Sequence, residues 1–139
     1  LILRVSLPSL LQPNFQEQLN RKLARYSGVW QRLYIELDAY GALAHPQELI
    51  DFVQATHPHG VRFGMRRVFE QPSVLALLDN LRLAYINVRV EALQSLYQTT
   101  GGRALITALA TTCHALTIQI RPDRPDSLLS EIKECLKII

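Results

Sequence analysis

GVRFGMRRVFEQPSVLALLDNLRLAYINVR, residues 60–89, decides the fold. Val61 to Met65 is a short apolar run of the kind that forms a buried strand. A turn follows, and Pro72 opens a short apolar helix. Ala84 to Val88 forms a second strand. A buried strand, a turn and an apolar helix leading to another strand make a βα unit. Arg66 and Arg67 close the first strand, and Arg89 closes the second. In α/β folds, ligands bind at the C-terminal ends of the strands, and here those ends are basic.

Outward from this stretch the same alternation continues. Leu1 to Leu7 reads as a strand, and Pro8 and Pro13 bound a loop. Asn14 is placed to cap a helix with Phe15, Leu19, Leu23 and Tyr26 on one stripe, ended by Ser27-Gly28. Leu33 to Leu37 is the next strand. Pro46 sits in the first turn of a helix that turns Leu49, Ile50 and Val53 inward. His57-Pro58-His59-Gly60 is a turn and not a metal site, since no carboxylate or cysteine cluster lies near it. Val90 to Tyr97 forms a helical turn that Gly101-Gly102 breaks. Arg103 to His114 is a helix and Leu116 to Ile120 a strand. RPDRPD, residues 121–126, is a loop, and Pro125 opens a last helix. Five strands alternating with helices predict a parallel five-stranded βα-repeat sheet, curved as part of a (β/α) barrel of TIM type.

Composition excludes several functional classes. The chain has 139 residues, 48% hydrophobic and 19% charged, which suits one globular domain with a sizeable core. The net charge of +3 permits an anionic partner. Lys and Arg form no run of five, so a polybasic tail for nucleic acid or membrane is absent. No apolar run reaches membrane-spanning length, and LILRVSL lacks the features of a signal peptide. Cys113 and Cys135 lie far apart with no CxxC, as expected of reduced thiols in a cytoplasmic domain. No GxSxG and no GxxxxGK[ST] occurs, which removes two common catalytic and phosphate-binding signatures.

The order of segments resembles that of EAL domains, the cyclic-di-GMP phosphodiesterase family. LRVSLPSLLQPNF resembles the family's "vNLS...L.dp.F" strand and helix start. LYIEL resembles "LelEiTE". GVRFGMRR falls at "GvrlalDDFG", LAYINVR at "rlKID", and LTIQIRPD at "vvAEGVE". The resemblance covers nearly the whole chain. It implies a single partial domain, residues 1–139, with strands three to seven of the barrel. The first two βα units, including the motif that names the family, and the last strand are expected to be missing.

The resemblance carries the scaffold and not the chemistry. The family's metal-ligating Asn falls on Arg4. The first Glu of "ElTE" is kept as Glu36, and the second falls on Ala39. The Asp pair falls on Arg66 and Arg67, and the Lys and Asp of "KID" fall on Asn87 and Arg89. The first Glu of "EGVE" falls on Ile120, or on Gln119 after a slip of one residue. The vestigial site is therefore Arg4, Glu36, Arg66, Arg67, Asn87, Arg89 and Gln119. Two-metal hydrolysis needs several converging carboxylates, so no catalytic residue, metal or cofactor is expected. The arginines have two readings, an anion site or internal pairing, in which one Arg pairs with Glu36 and the others with solvent or Glu70.

The implied function is a catalytically inactive regulatory domain of a bacterial signalling protein, acting through a protein partner. Degenerate relatives include adaptors for small-RNA turnover, which makes any RNA role indirect. They often follow a degenerate GGDEF domain in a membrane-anchored protein. That places this segment in the cytoplasm, with no membrane contact of its own. The alternatives are a cyclic-di-GMP receptor and an active phosphodiesterase with misaligned motifs. Open, apolar sheet edges at residues 1–7 and 116–120 also predict pairing with a second copy.

Overall fold

The structure is a computed structural model that describes residues 2–25 and 33–123. Five strands run in chain order as one parallel sheet: β1 (Ile2–Arg4), β2 (Tyr34–Asp38), β3 (Arg62–Arg66), β4 (Leu83–Val88) and β5 (Gln119–Pro122). All four pairings are parallel, as the alternation of strands and helices predicts. Between them lie α1 (Leu7–Leu10), α2 (Pro13–Arg25), α3 (Ala39–Ala44), α4 (Pro46–Thr56), α5 (Leu78–Leu81), α6 (Val90–Tyr97) and α7 (Thr100–Ala115).

Alternation along the strands makes the two sheet faces chemically different. Ile35 and Leu37, Phe63 and Met65, and Ile86 and Val88 are buried in one core with Leu49, Phe52, Leu93, Ile106 and Leu109 of the helices. Phe52 of α4 meets Phe63 of β3 edge-on at 6.0 Å between ring centroids. The opposite face carries Arg4, Glu36, Gly64, Tyr85 and Gln119 as neighbours across the sheet. One level nearer the C-terminal ends stand Asp38, Arg66, Asn87 and Arg121. The register shifts between Phe63 and Gly64, which brings Tyr85 rather than Ala84 opposite Gly64.

Several elements differ from the expectation, each for a local reason. The first strand stops at Arg4, because Ser6 accepts from the amides of Ser9 and Leu10 and starts α1. Pro8 and Pro13 stand in the first turns of α1 and α2 instead of bounding a loop, since a first-turn proline loses no hydrogen bond. Asn14 therefore lies inside α2. Pro72 opens a 3₁₀ segment, Pro72–Leu77, before α5. Gly101-Gly102 does not break a helix; it lies in the first turn of α7, which Thr99 caps by accepting from the Gly102 amide at 3.0 Å.

The last strand is displaced toward the C-terminus. Helix α7 ends where Thr117 turns left-handed, at φ 58, and the amides of Leu116, Thr117 and Ile118 close onto the helix carbonyls. Pairing then begins at Gln119, so Arg121 and Pro122 belong to β5. This edge carries Gln119, Arg121 and Pro122 rather than an apolar run, and proline blunts it. At the other edge Ile2 and Leu3 are exposed. His57–His59 is a 3₁₀ turn closed by left-handed Gly60, as expected. Tyr26, the Ser27-Gly28 stop, the helix opened by Pro125, and Cys135 lie outside the described residues. Cys113 is buried, which pushes its thiol up to about 11.

Candidate functional site

Strand ends β1 to β3 enclose a cavity of about 400 Å³ lined by Arg4, Ser6, Glu36, Asp38, Tyr40, Arg66 and Arg67, with Val5 and Gly41. Four of the seven expected site residues meet there: Arg4, Glu36, Arg66 and Arg67. Asn87 lies beside Arg66 in register, Gln119 lies at β5 beside Tyr85, and Arg89 stands just past β4. None of these last three lines the cavity.

Glu36 is the buried centre. Its side chain is 2% exposed, and it accepts from Arg4 Nε at 3.2 Å and from Tyr85 Oη at 3.0 Å. Burial, and then the bond to Glu36, push the Tyr85 hydroxyl well above its usual range, so it stays protonated and donates. The Tyr85 ring lies against Gly64, where a Cβ would come within 2.1 Å of Cζ. Arg121 stacks over Tyr85 at 4.4 Å and over Tyr34 at 5.6 Å. Arg62 donates to Tyr34 Oη at 3.3 Å, which, with Arg121, lowers the pKa of that half-buried tyrosine.

Asp38 has three tasks. Its Oδ1 accepts from the Tyr40 amide and caps α3. Its Oδ2 takes Arg66 Nε at 3.1 Å, and Arg67 through Nε at 2.9 Å and Nη2 at 2.6 Å. Strand alternation would send Arg66 and Arg67 to opposite faces. Arg67 escapes this by adopting a left-handed backbone, φ 62, so both side chains reach one carboxylate. The Asp38 bond raises the pKa of Arg67 further, and its guanidinium lies 4.2 Å over the Tyr40 ring. Internal pairing thus holds for Arg4 with Glu36 and for Arg89 with Glu70 at 3.4 Å. The Asp38 cluster was not expected, because Asp38 matches no motif position. Tyr34, Gly64, Tyr85 and Arg121 were also missed; the signal available was their period-two spacing from Glu36, Arg66, Asn87 and Gln119 on the same face.

The described lining of this cavity does not suit a divalent ion. Both carboxylates of the cavity are already taken by guanidiniums, and among the described residues no three His, Cys, Asp or Glu converge. Guanidinium groups at the strand ends repel a metal ion instead of binding it.

The partners of Glu36 are unequal, and this sets a test. Arg4 is 66% exposed. Arg4→Ala leaves a buried carboxylate with Tyr85 alone and is expected to cost about 3 kcal/mol. Glu36→Gln returns a largely solvated guanidinium to water and is expected to cost about 1 kcal/mol. Urea unfolding of both variants measures the difference; equal losses would contradict a buried Glu36 anchored by Arg4.

The comparisons with known proteins agree on the fold. The family model described as EAL domain matches residues 1–121. No curated protein matches the chain. Among solved structures, Vibrio cholerae LapD S helix-GGDEF-EAL, bound to c-di-GMP, superposes with a TM-score of 0.85 at 19% identity, over 96% of this chain and 33% of that one. The Xanthomonas citri FimX EAL domain in complex with c-diGMP gives 0.76 at 13% identity, over 96% and 54%. Klebsiella pneumoniae BlrP1, in a manganese/cy-diGMP complex, gives 0.76 at 16% identity, over 99% and 36%. The chain therefore spans about a third of the LapD structure.

Proposed function

The chain belongs to the EAL domain family, and on that premise we propose that it is a catalytically inactive regulatory member that acts through a protein partner. One observation carries this reading: both carboxylates of the cavity at the strand ends are neutralised by Arg4, Arg66 and Arg67. Phosphodiester hydrolysis of the family type calls for metal ions held by free carboxylates. In the vestigial site, Arg4, Glu36, Arg66, Arg67, Asn87, Arg89 and Gln119, three positions carry charge of the opposite sign: Arg66, Arg67 and Arg89, where the family pattern has aspartates.

A surface rather than a reaction is then what the domain offers. Any role in RNA turnover runs through the protein partner. No helix of the described residues is long and apolar enough to cross a membrane. We place the segment in the cytoplasm, as part of a longer, membrane-anchored signalling protein whose first two βα units and last barrel strand complete the domain.

A second reading, a cyclic-di-GMP receptor, is supported by the LapD and FimX structures, which carry that dinucleotide on the same fold. Incubation with cyclic-di-GMP and Mn²⁺ or Mg²⁺ tests the proposal. The expected result is no linear pGpG above a buffer control. Turnover that disappears in Glu36→Ala restores the phosphodiesterase reading, and calorimetric binding without turnover supports the receptor.

A further inference from the structure

The cavity at the ends of β1 to β3 presents its cations outward and its acids inward. The side chains of Arg4, Arg66 and Arg67 are 66%, 44% and 40% exposed, whereas those of Glu36 and Asp38 are 2% and 18% exposed. A solute entering from water meets guanidinium first. Three guanidiniums against two carboxylates also leave the wall with one net positive charge.

The donors are not used up by these pairs. A guanidinium carries five N–H groups in a fixed fork. Arg4 bonds Glu36 through Nε at 3.2 Å, and Arg66 approaches Asp38 through Nε at 3.1 Å. A fork engaged at Nε has further N–H groups on Nη1 and Nη2 to offer a solute. Arg67 is different: it grips Asp38 through Nε and Nη2, and so buttresses the wall. Ser6 adds a hydroxyl to the lining, and half-exposed Tyr40, Val5 and Gly41 add an apolar side. A volume of about 400 Å³ holds a tetrahedral oxyanion with an organic group attached.

We propose that this cavity binds a phosphate-type oxyanion, free or as a phosphomonoester, directly on Arg4 and Arg66 and with no divalent cation. The proposal rests on the reading that the mouth has lost its capacity for metal. Guanidinium forks match phosphate oxygens in pairs, and such charge-assisted bonds are the strong ones. A dianionic monoester gains about twice the Coulomb energy of a monoanionic diester at the same distance. The site therefore favours a terminal phosphate over a phosphodiester.

The test is a titration of the Arg Nε–Hε signals by NMR, in EDTA, at about pH 8, where phosphomonoesters are dianions. Chloride holds the ionic strength constant. Inorganic phosphate, phenyl phosphate and diphenyl phosphate serve as probes. The expected result is a saturable shift at Arg4 and Arg66 with the first two, and weaker binding of the diester. Arg4→Gln and Arg66→Gln are each expected to weaken phosphate binding about tenfold. No saturable shift, a shift unaltered in both variants, or preference for the diester overturns the proposal. Binding that requires Mg²⁺ overturns it and the inactive reading together, whereas no binding under any condition leaves the inactive reading standing.

Discussion

Gly102→Ala is expected to destabilise the protein by about 3 kcal/mol or more, and to lower its melting temperature by on the order of 10 °C. Alanine is the better helix former by about 1 kcal/mol, so propensity alone predicts a gain. Geometry outweighs it. A Cβ on Gly102 would stand 1.8 Å from the carbonyl oxygen of Leu96 and 2.6 Å from its carbon. These are backbone atoms of α6 and cannot rotate aside, so α6 and α7 would have to part. Ile106, Leu109 and Leu93 would then lose their shared packing. Gly101 is the control, because a Cβ there meets nothing within 4 Å. Gly101→Ala is expected to be neutral or to stabilise by up to about 1 kcal/mol. Urea unfolding of the two variants reads the difference, and a Gly102→Ala protein as stable as the parent would refute this packing of α6 on α7.

Gly64→Ala is expected to cost about 3 kcal/mol, combining overpacking with the loss of a buried hydrogen bond. The obstacle is the Tyr85 ring, with Cζ at 2.1 Å and both Cε atoms at 2.5 Å from a Cβ on Gly64. Tyr85 is 1% exposed, so the ring has little room to yield. Moving it breaks its bond to Glu36 and its stack with Arg121. A double-mutant cycle isolates the clash. In a Tyr85→Ala background the same substitution is expected to be nearly neutral, because the space is then empty. Equal costs in both backgrounds would mean that Gly64 is needed for some reason other than Tyr85.

These two glycines also mark what was legible in the sequence. Gly101-Gly102 looks like a helix break, because a pair of glycines lowers helix propensity; only the α6–α7 approach shows why the second is required. Gly64 and Tyr85 look like core positions inside apolar runs. Their direct apposition depends on the register shift at Phe63, which no residue type signals. The strands themselves were legible, because Ile35, Leu37, Phe63, Met65, Ile86 and Val88 alternate with residues of the other face. So was the basic mouth, because Arg4, Arg66 and Arg67 interrupt or close apolar runs. The use of Asp38 was not, since it depends on the left-handed backbone of Arg67, a conformation arginine rarely takes. The start of β5 was misplaced because LTIQI reads as an unbroken strand, while Thr117 is in fact the left-handed closure of α7.

The central claim is that arginine has replaced metal at the strand ends. Titrating the protein into a fixed amount of Mn²⁺ and following the spectrum of the free ion by electron paramagnetic resonance tests it most directly. The account predicts a free-ion signal equal to that of buffer at every protein concentration. A saturable loss of that signal, abolished by Glu36→Gln, would contradict it.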